Sequence, residues 1–257
     1  MTIAALRKIV RTYYKTHKRD LPWRNTTDPY PILVSEIMLQ QTQAERVVRK
    51  YEEFLKKFPT IQKLANADKK DVISAWQGLG YNRRAIALKC TAEIITSDHK
   101  GKVPDNFEVL TSLPGIGPAT AGDILAFAFN KPYPVIETNI RTVFLHHFFP
   151  KSKKVPDTRL LPFIEQALDK KNPREWISAL MDYGAYLKKT TGNASKRSKH
   201  YVKQSIFKGS HRQNRGKVLR FILKEGIKSP EEISESLFLT TDSIKTILTQ
   251  LKQEGFM

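Results

Sequence analysis

The chain has 257 residues, 40% hydrophobic and 10% aromatic, enough to build one or two cores and too apolar for a disordered basic tail. With 44 Lys and Arg against 25 Asp and Glu, the formal charge is +19, the balance of a protein that neutralises phosphates, although a ribosomal or membrane-surface protein would share it. The single cysteine, Cys90, excludes an internal disulfide, and the absence of a membrane-length apolar run or a signal-like N-terminus gives the expectation of a cytoplasmic, nucleoid-associated protein with no membrane partner.

Apolar spacing predicts helices at about 2–16, 31–44, 44–58, 61–66, 69–77, 81–98, 105–112, 118–130, 139–149, 159–170 and 173–187, and almost no alternating strand pattern, so the fold class is all-α. In the second of these, Glu36 sits within the apolar run Pro31–Leu39 and ahead of the polar cluster Gln40-Gln41-Thr42-Gln43. A carboxyl in such a setting is desolvated and favours its protonated form, which suits a general acid. The competing reading is a core-edge glutamate paired with an arginine such as Arg19. Cys90, among Ile86, Leu88, Ala92 and Ile94, reads as a small core residue.

Leu113-Pro114-Gly115-Ile116-Gly117-Pro118-Ala119-Thr120-Ala121 joins two amphipathic runs by a turn too tight for side chains. Backbone amides at such a turn suit an anion, and with no base-reading side chains the natural ligand is a nucleic-acid phosphate held at Gly115, Gly117 and Thr120; an ordinary helix–helix turn is the alternative. Further on, Pro134–Ile136 is an apolar, strand-like run ending in Glu137, and Asn139 is expected to cap the next helix. His146 and His147 lack partners at metal-ligand spacing and read as helix-face residues, so no metal site is expected.

Residues 188–220 carry eleven Lys or Arg and no acid, with Tyr201 and Phe207 interleaved. A solvated linker would explain this; a DNA-backbone contact through Lys196, Arg197, Lys199, Arg212 and Arg215 is the favoured expectation. Three short helices follow at about 211–225, 230–237 and 241–254, a pattern that fits either a helix-turn-helix of winged-helix type, with Gly255-Phe256 opening a wing, or a plain packing domain.

Taken in order, Arg19-Asp20-Leu21-Pro22-Trp23-Arg24, Asp28-Pro29-Tyr30, Ser35–Gln43, Trp76-Gln77-Gly78-Leu79-Gly80-Tyr81, the 113–121 hairpin, Glu137-Thr138-Asn139 and Met181-Asp182-Tyr183-Gly184-Ala185 resemble the helix-hairpin-helix (HhH-GPD) DNA glycosylase superfamily, most closely its MutY-type adenine-specific branch. The resemblance implies a glycosylase domain over 1–205, built of two helical lobes with the active-site cleft between them (28–130; 1–27 plus 131–205), followed by a winged-helix-like domain over 206–257. It implies Glu36 as the acid that protonates adenine and Glu137 as the carboxylate facing the developing oxocarbenium. The family normally has Asp at the latter position, and the added methylene moves the carboxylate by about 1.5 Å.

By the same resemblance Arg19, Trp23 and Asn139 line or support the base pocket, and Gln40, Gln41 and Tyr81 fill the gap left by the flipped base and contact the opposite one. Ala119 stands where bifunctional relatives carry a nucleophilic Lys, which implies a monofunctional hydrolase. The four cysteines that ligate an iron–sulfur cluster in most relatives are absent after Lys188, so no cluster is expected, and contacts of Tyr186, Tyr201 and the basic run are expected to hold that loop. A monovalent cation at the hairpin is the one ion the resemblance suggests. The expected partner is double-stranded DNA with a mismatch or lesion, bound by a monomer in base excision repair. A mismatch thymine or uracil glycosylase and a non-catalytic lesion-binding protein are the alternatives.

Overall fold

The computed structural model describes residues 1–256, and they contain fourteen α-helices and two short 3-10 turns. The helices are α1 (Ile3–His17), α2 (Pro29–Leu39), α3 (Ala44–Lys57), α4 (Ile61–Ala65), α5 (Lys69–Ala75), α6 (Arg83–Asp98), α7 (Phe107–Ser112), α8 (Pro118–Phe129), α9 (Thr138–Phe148), α10 (Asp157–Ala167), α11 (Pro173–Thr190), α12 (His211–Glu225), α13 (Pro230–Leu237) and α14 (Thr241–Gln253). Their starts follow local chemistry. Thr2, Thr60, Asn106, Ser210 and Thr240 each accept a backbone N–H at a helix N-terminus, and Ser229 with Glu232 forms a reciprocal capping box at α13.

The chain divides into two compact units, 1–37 with 103–203 and 38–102 with 204–257. This differs from the expected lobe over 28–130 and from a separate C-terminal domain. The hairpin helix α8 joins the first unit because Ala126 is part of, and Ala119 packs against, the core that α1, α9, α10 and α11 share. In the second unit, Val218, Leu219, Ile222, Ile233, Ile244, Ile247 and Leu251 form one core with Ile73 of α5, and Ile86 of α6 packs on it. The three C-terminal helices are thus part of this unit's core. Phe256, expected to open a wing, is buried in that core beneath the Arg215 guanidinium.

The segment after α11 is held by hydrogen bonds. Ser195 Oγ meets Thr142 Oγ1 at 2.8 Å and donates to the Thr138 carbonyl, and Arg197 donates to the Leu145 carbonyl. Val155 pairs with the backbone of Arg197 and Lys199, and Ala194 enters the first unit's core. Of the expected anchors the basic run takes part through Arg197, whereas Tyr201 is 38% exposed and Tyr186, 43% exposed, stacks obliquely on Tyr13.

Candidate active site

Glu36 lies on the buried face of α2, with Leu33, Val34 and Ile37 fully enclosed around it. Burial, the charge of Glu137 and, acting the other way, the charge of Arg24 leave its pKa raised to about 8. At neutral pH it is therefore mostly protonated. It is not paired with Arg19. That arginine, through its Nε at 2.6 Å and its backbone N–H at 3.0 Å, donates to Asp182, which also accepts both Nη atoms of Arg24 at 2.8 Å. Burial alone would raise the Asp182 pKa, but the Arg24 bonds and the Arg19 amide carry it below the usual carboxylate range.

Glu137 caps α9. Its Oε1 accepts the backbone N–H groups of Asn139 at 2.7 Å and Ile140 at 2.8 Å, while Asn139 Nδ2 approaches Oε2 at 3.3 Å. The side chain curls back onto its own helix. Burial pushes its pKa up, against the two amides and the charges of Lys188 and Arg141. Glu36 has no such amides among its determinants, so of the pair Glu137 is the better stabilised anion and Glu36 the better proton holder.

Asn139 is fixed in turn by Lys188, whose Nζ donates to its Oδ1 at 2.9 Å. The approach of α11 to this point depends on Gly184, where a Cβ would lie 2.3 Å from the Asn139 carbonyl oxygen. Gly122 does the same for α8, where a Cβ would come within 2.8 Å of Tyr133 and Val135. These two glycines let α8 and α11 close on the 133–139 segment.

A third carboxyl, Asp123 of α8, was not singled out from the sequence. It is 5% exposed, and its Oδ1 has no hydrogen-bond partner among the described residues. Burial and the charges of Glu36 and Glu137 raise its pKa well above the usual value. The signal that marked Glu36 was available here also, since Asp123 is a lone acid among Ala121, Ile124, Leu125 and Ala126.

At the hairpin, Leu113 and Ile116 are buried and anchor the turn, Gly115 takes φ +77°, and Gly117 is the N-cap of α8. Gly117 has an ordinary extended backbone, and a Cβ there would meet nothing within 4 Å. Nothing inside the protein requires a glycine at this position. Thr120 lies in the first turn of α8. Trp23, in the 3-10 turn Pro22–Arg24, is 7% exposed.

The remaining predicted residues fall in the second unit or after α11. Gln40, exposed Gln41 and Tyr81 occupy two loops joined by Arg84, whose Nη1 donates to the Met38 and Gln40 carbonyls and whose Nη2 donates to Thr42 Oγ1 and the Gly80 carbonyl. Its guanidinium lies 5.4 Å from the Trp76 ring centre and 5.6 Å from that of Tyr81. Burial lowers the Arg84 pKa to about 10, which still leaves it charged. Lys196 and Lys199 are exposed, Arg215 shares Glu254 with Arg83, and Arg212 contacts Tyr81. Among the described residues no cluster of His, Cys, Asp and Glu has metal-binding geometry.

The model of the HhH-GPD superfamily of base excision DNA repair proteins matches residues 34–161, which span Glu36, the hairpin and Glu137. The chain belongs to that superfamily. Among its relatives, the adenine DNA glycosylase of Buchnera aphidicola (subsp. Acyrthosiphon pisum) is 34% identical over 181 residues, 69% of this chain and 51% of that protein. The adenine DNA glycosylase of Mycobacterium tuberculosis is 45% identical over 132 residues, 51% of this chain and 43% of that protein. The chain thus spans about half the length of these curated relatives. A solved thermostable thymine-DNA glycosylase superposes with a TM-score of 0.63 at 28% identity, covering 71% of this chain and 87% of that one.

Proposed function

We propose that this HhH-GPD protein is a monofunctional DNA glycosylase that hydrolyses the N-glycosidic bond of adenine opposite guanine or 8-oxoguanine in duplex DNA. A purine leaves C1′ readily only when a ring nitrogen is protonated, and the sugar then develops oxocarbenium character that a nearby anion stabilises. The observation that carries the reading is the pairing of a buried, proton-holding Glu36 with Glu137, whose carboxylate is stabilised by two backbone amides. Opposed protonation states in one buried group of carboxyls meet both needs.

Ala119 offers no amine to attack C1′, so water is the nucleophile in this scheme and the strand stays intact. The reading also holds that the protein works without an iron–sulfur cluster. Cys90 is its single thiol, and the place after α11 is occupied by Ala194, Ser195 and their hydrogen bonds, a donor set that does not fit such a cluster.

The test is a panel of duplexes carrying adenine opposite 8-oxoguanine, guanine or cytosine, together with T·G and U·G, each scored for strand breaks with and without alkali. Breaks at adenine that need alkali support the reading. Release from T·G or U·G alone, in line with the likeness to a thymine-DNA glycosylase, would replace adenine as the substrate.

A further inference from the structure

Tyr81 is held in an unusual way. Its backbone is left-handed at φ +48°, a conformation that costs a non-glycine residue free energy and persists only where the surroundings impose it. The surroundings do so from two directions along the chain. Arg84 lies over the ring, as described, and the segment that opens the C-terminal helices supplies the rest. Arg212 of α12 donates from Nη1 to the Tyr81 hydroxyl at 2.8 Å, with its guanidinium 5.8 Å from the Tyr81 ring centre and 5.9 Å from that of Phe207. Gln204 Nε2 also donates to the Tyr81 hydroxyl, and Arg212 Nη2 donates to the Ser205 carbonyl, which fixes the segment that carries Gln204 and Phe207.

The result is a patch of two partly exposed rings, Tyr81 at 38% and Phe207 at 60%, joined by a guanidinium and bordered by a side-chain amide. Partly exposed aromatic rings suit an unstacked base, and Arg and Gln donors suit the acceptor edge of a purine. Resting on the reading of the protein as an adenine glycosylase, we propose that Gln204, Phe207 and Arg212 form with Tyr81 the seat of the purine opposite the excised adenine. In this account Arg212 is a positioning residue for Tyr81, and the C-terminal segment takes part in reading the opposite base.

The experiment compares single-turnover excision of adenine opposite guanine, 8-oxoguanine, cytosine and an abasic analogue in the wild type, Arg212→Lys, Gln204→Ala and Tyr81→Phe. Arg212→Lys keeps the charge and loses the fork. The seat predicts that the ratio of rates opposite guanine and 8-oxoguanine to the rate opposite the abasic analogue falls about 5- to 100-fold in Arg212→Lys, with smaller falls in the other two. Affinities for an uncleavable duplex carrying an abasic analogue opposite each of those bases should show the same preference and the same loss. That readout needs no base release, so it separates failure of the seat from failure of the adenine reading. An unchanged ratio, or a loss equal opposite every base including the abasic analogue, would overturn the seat; Tyr81→Phe decides the matter if Arg212→Lys does not fold.

Discussion

A Cβ at Gly184 would sit 2.3 Å from the carbonyl oxygen of Asn139 and 2.7 Å from its carbonyl carbon. The contact is backbone to backbone, so no side chain can swing away to relieve it. Gly184→Ala should therefore displace α11 from the start of α9 and destabilise the protein by about 1–3 kcal/mol, the usual range for overpacking a tight core. Glu137 and Asn139 stand at that helix start, so excision should fall further than stability accounts for. Denaturant melts alongside single-turnover rates at a temperature where both forms are folded would show this, and equal stability and rate would deny the glycine its role.

Glu137→Gln keeps an oxygen for the Asn139 and Ile140 amides and should fold within about 1 kcal/mol of the wild type. It loses the negative charge, and most of the excision rate should go with it. Glu137→Asp retains the charge and should retain part of the rate, reduced on the order of 100-fold by a misplacement of about 1 Å. Equal rates in all three forms would remove Glu137 from the chemistry.

Two groups of the first unit lose their share of stability in acid at different pH. His147 is kept neutral, its pKa lowered to about 4 by burial and by the neighbouring His146, while its Nε2 meets the Tyr183 hydroxyl at 3.0 Å. The unfolded chain takes up that proton at about 6.5, so this part of the stability is present above pH 6.5 and lost as pH falls toward 4. Because the ring is only half enclosed, the loss is on the order of 1–2 kcal/mol. Asp182, held below its usual 3.8 by Arg24 and Arg19, contributes stability that persists until pH falls through its lowered value. The raised carboxyls Glu36, Asp123 and Glu137 gain stability as pH falls, so the His147 share is read as the difference in melting temperature between wild type and His147→Gln from pH 8 to pH 3, which should shrink between 6.5 and 4.

In the basic zone the structure separates two kinds of cation. Lys196 and Lys199 are exposed, whereas Arg197 donates to the Leu145 carbonyl and Arg215 is bound to Glu254, whose pKa is lowered to about 2 by Arg83 and Arg215. If the exposed pair contacts phosphates, Lys196→Ala and Lys199→Ala should each lower the slope of log affinity against log salt by about 0.9, for any duplex sequence. Arg197→Ala should act mainly through stability. Removing 206–257 is a poor test of binding, because it strips the partners from Ile73. An unchanged slope in the double lysine variant would dismiss the phosphate contact.

The helices and the acid were legible because each is a local pattern: apolar residues at helical spacing, and one carboxyl where the spacing calls for an apolar side chain. Glu36 needed no knowledge of distant residues, whereas the cap of α9 is Glu137 and not Asn139, as the residue type suggested. Asp123 carried the same local signal two residues beyond the hairpin. The Arg19 and Arg24 bonds to Asp182 join residues more than 150 positions apart, and no single-sequence pattern reports such a pairing. Arg84 has no local pattern that reports its role, because its guanidinium joins two loops through carbonyls brought near by the fold. The unit boundaries were missed for a related reason. Periodicity shows that α8 and α12 each have an apolar face, but not which core will cover it.

The account rests on Glu36 holding a proton because it is buried and because Glu137 is charged. The most direct measurement is the pH dependence of single-turnover adenine excision in the wild type and in Glu137→Gln. The protonated form is the active one, so the wild-type rate should hold below pH 8 and fall as pH rises through about 8. In Glu137→Gln the slower reaction should begin its fall at lower pH, since the charge that raised Glu36 is gone. A fall that begins near pH 4.5, the ordinary value for a glutamate, or an alkaline limb that does not move when Glu137 is neutralised, would contradict the account.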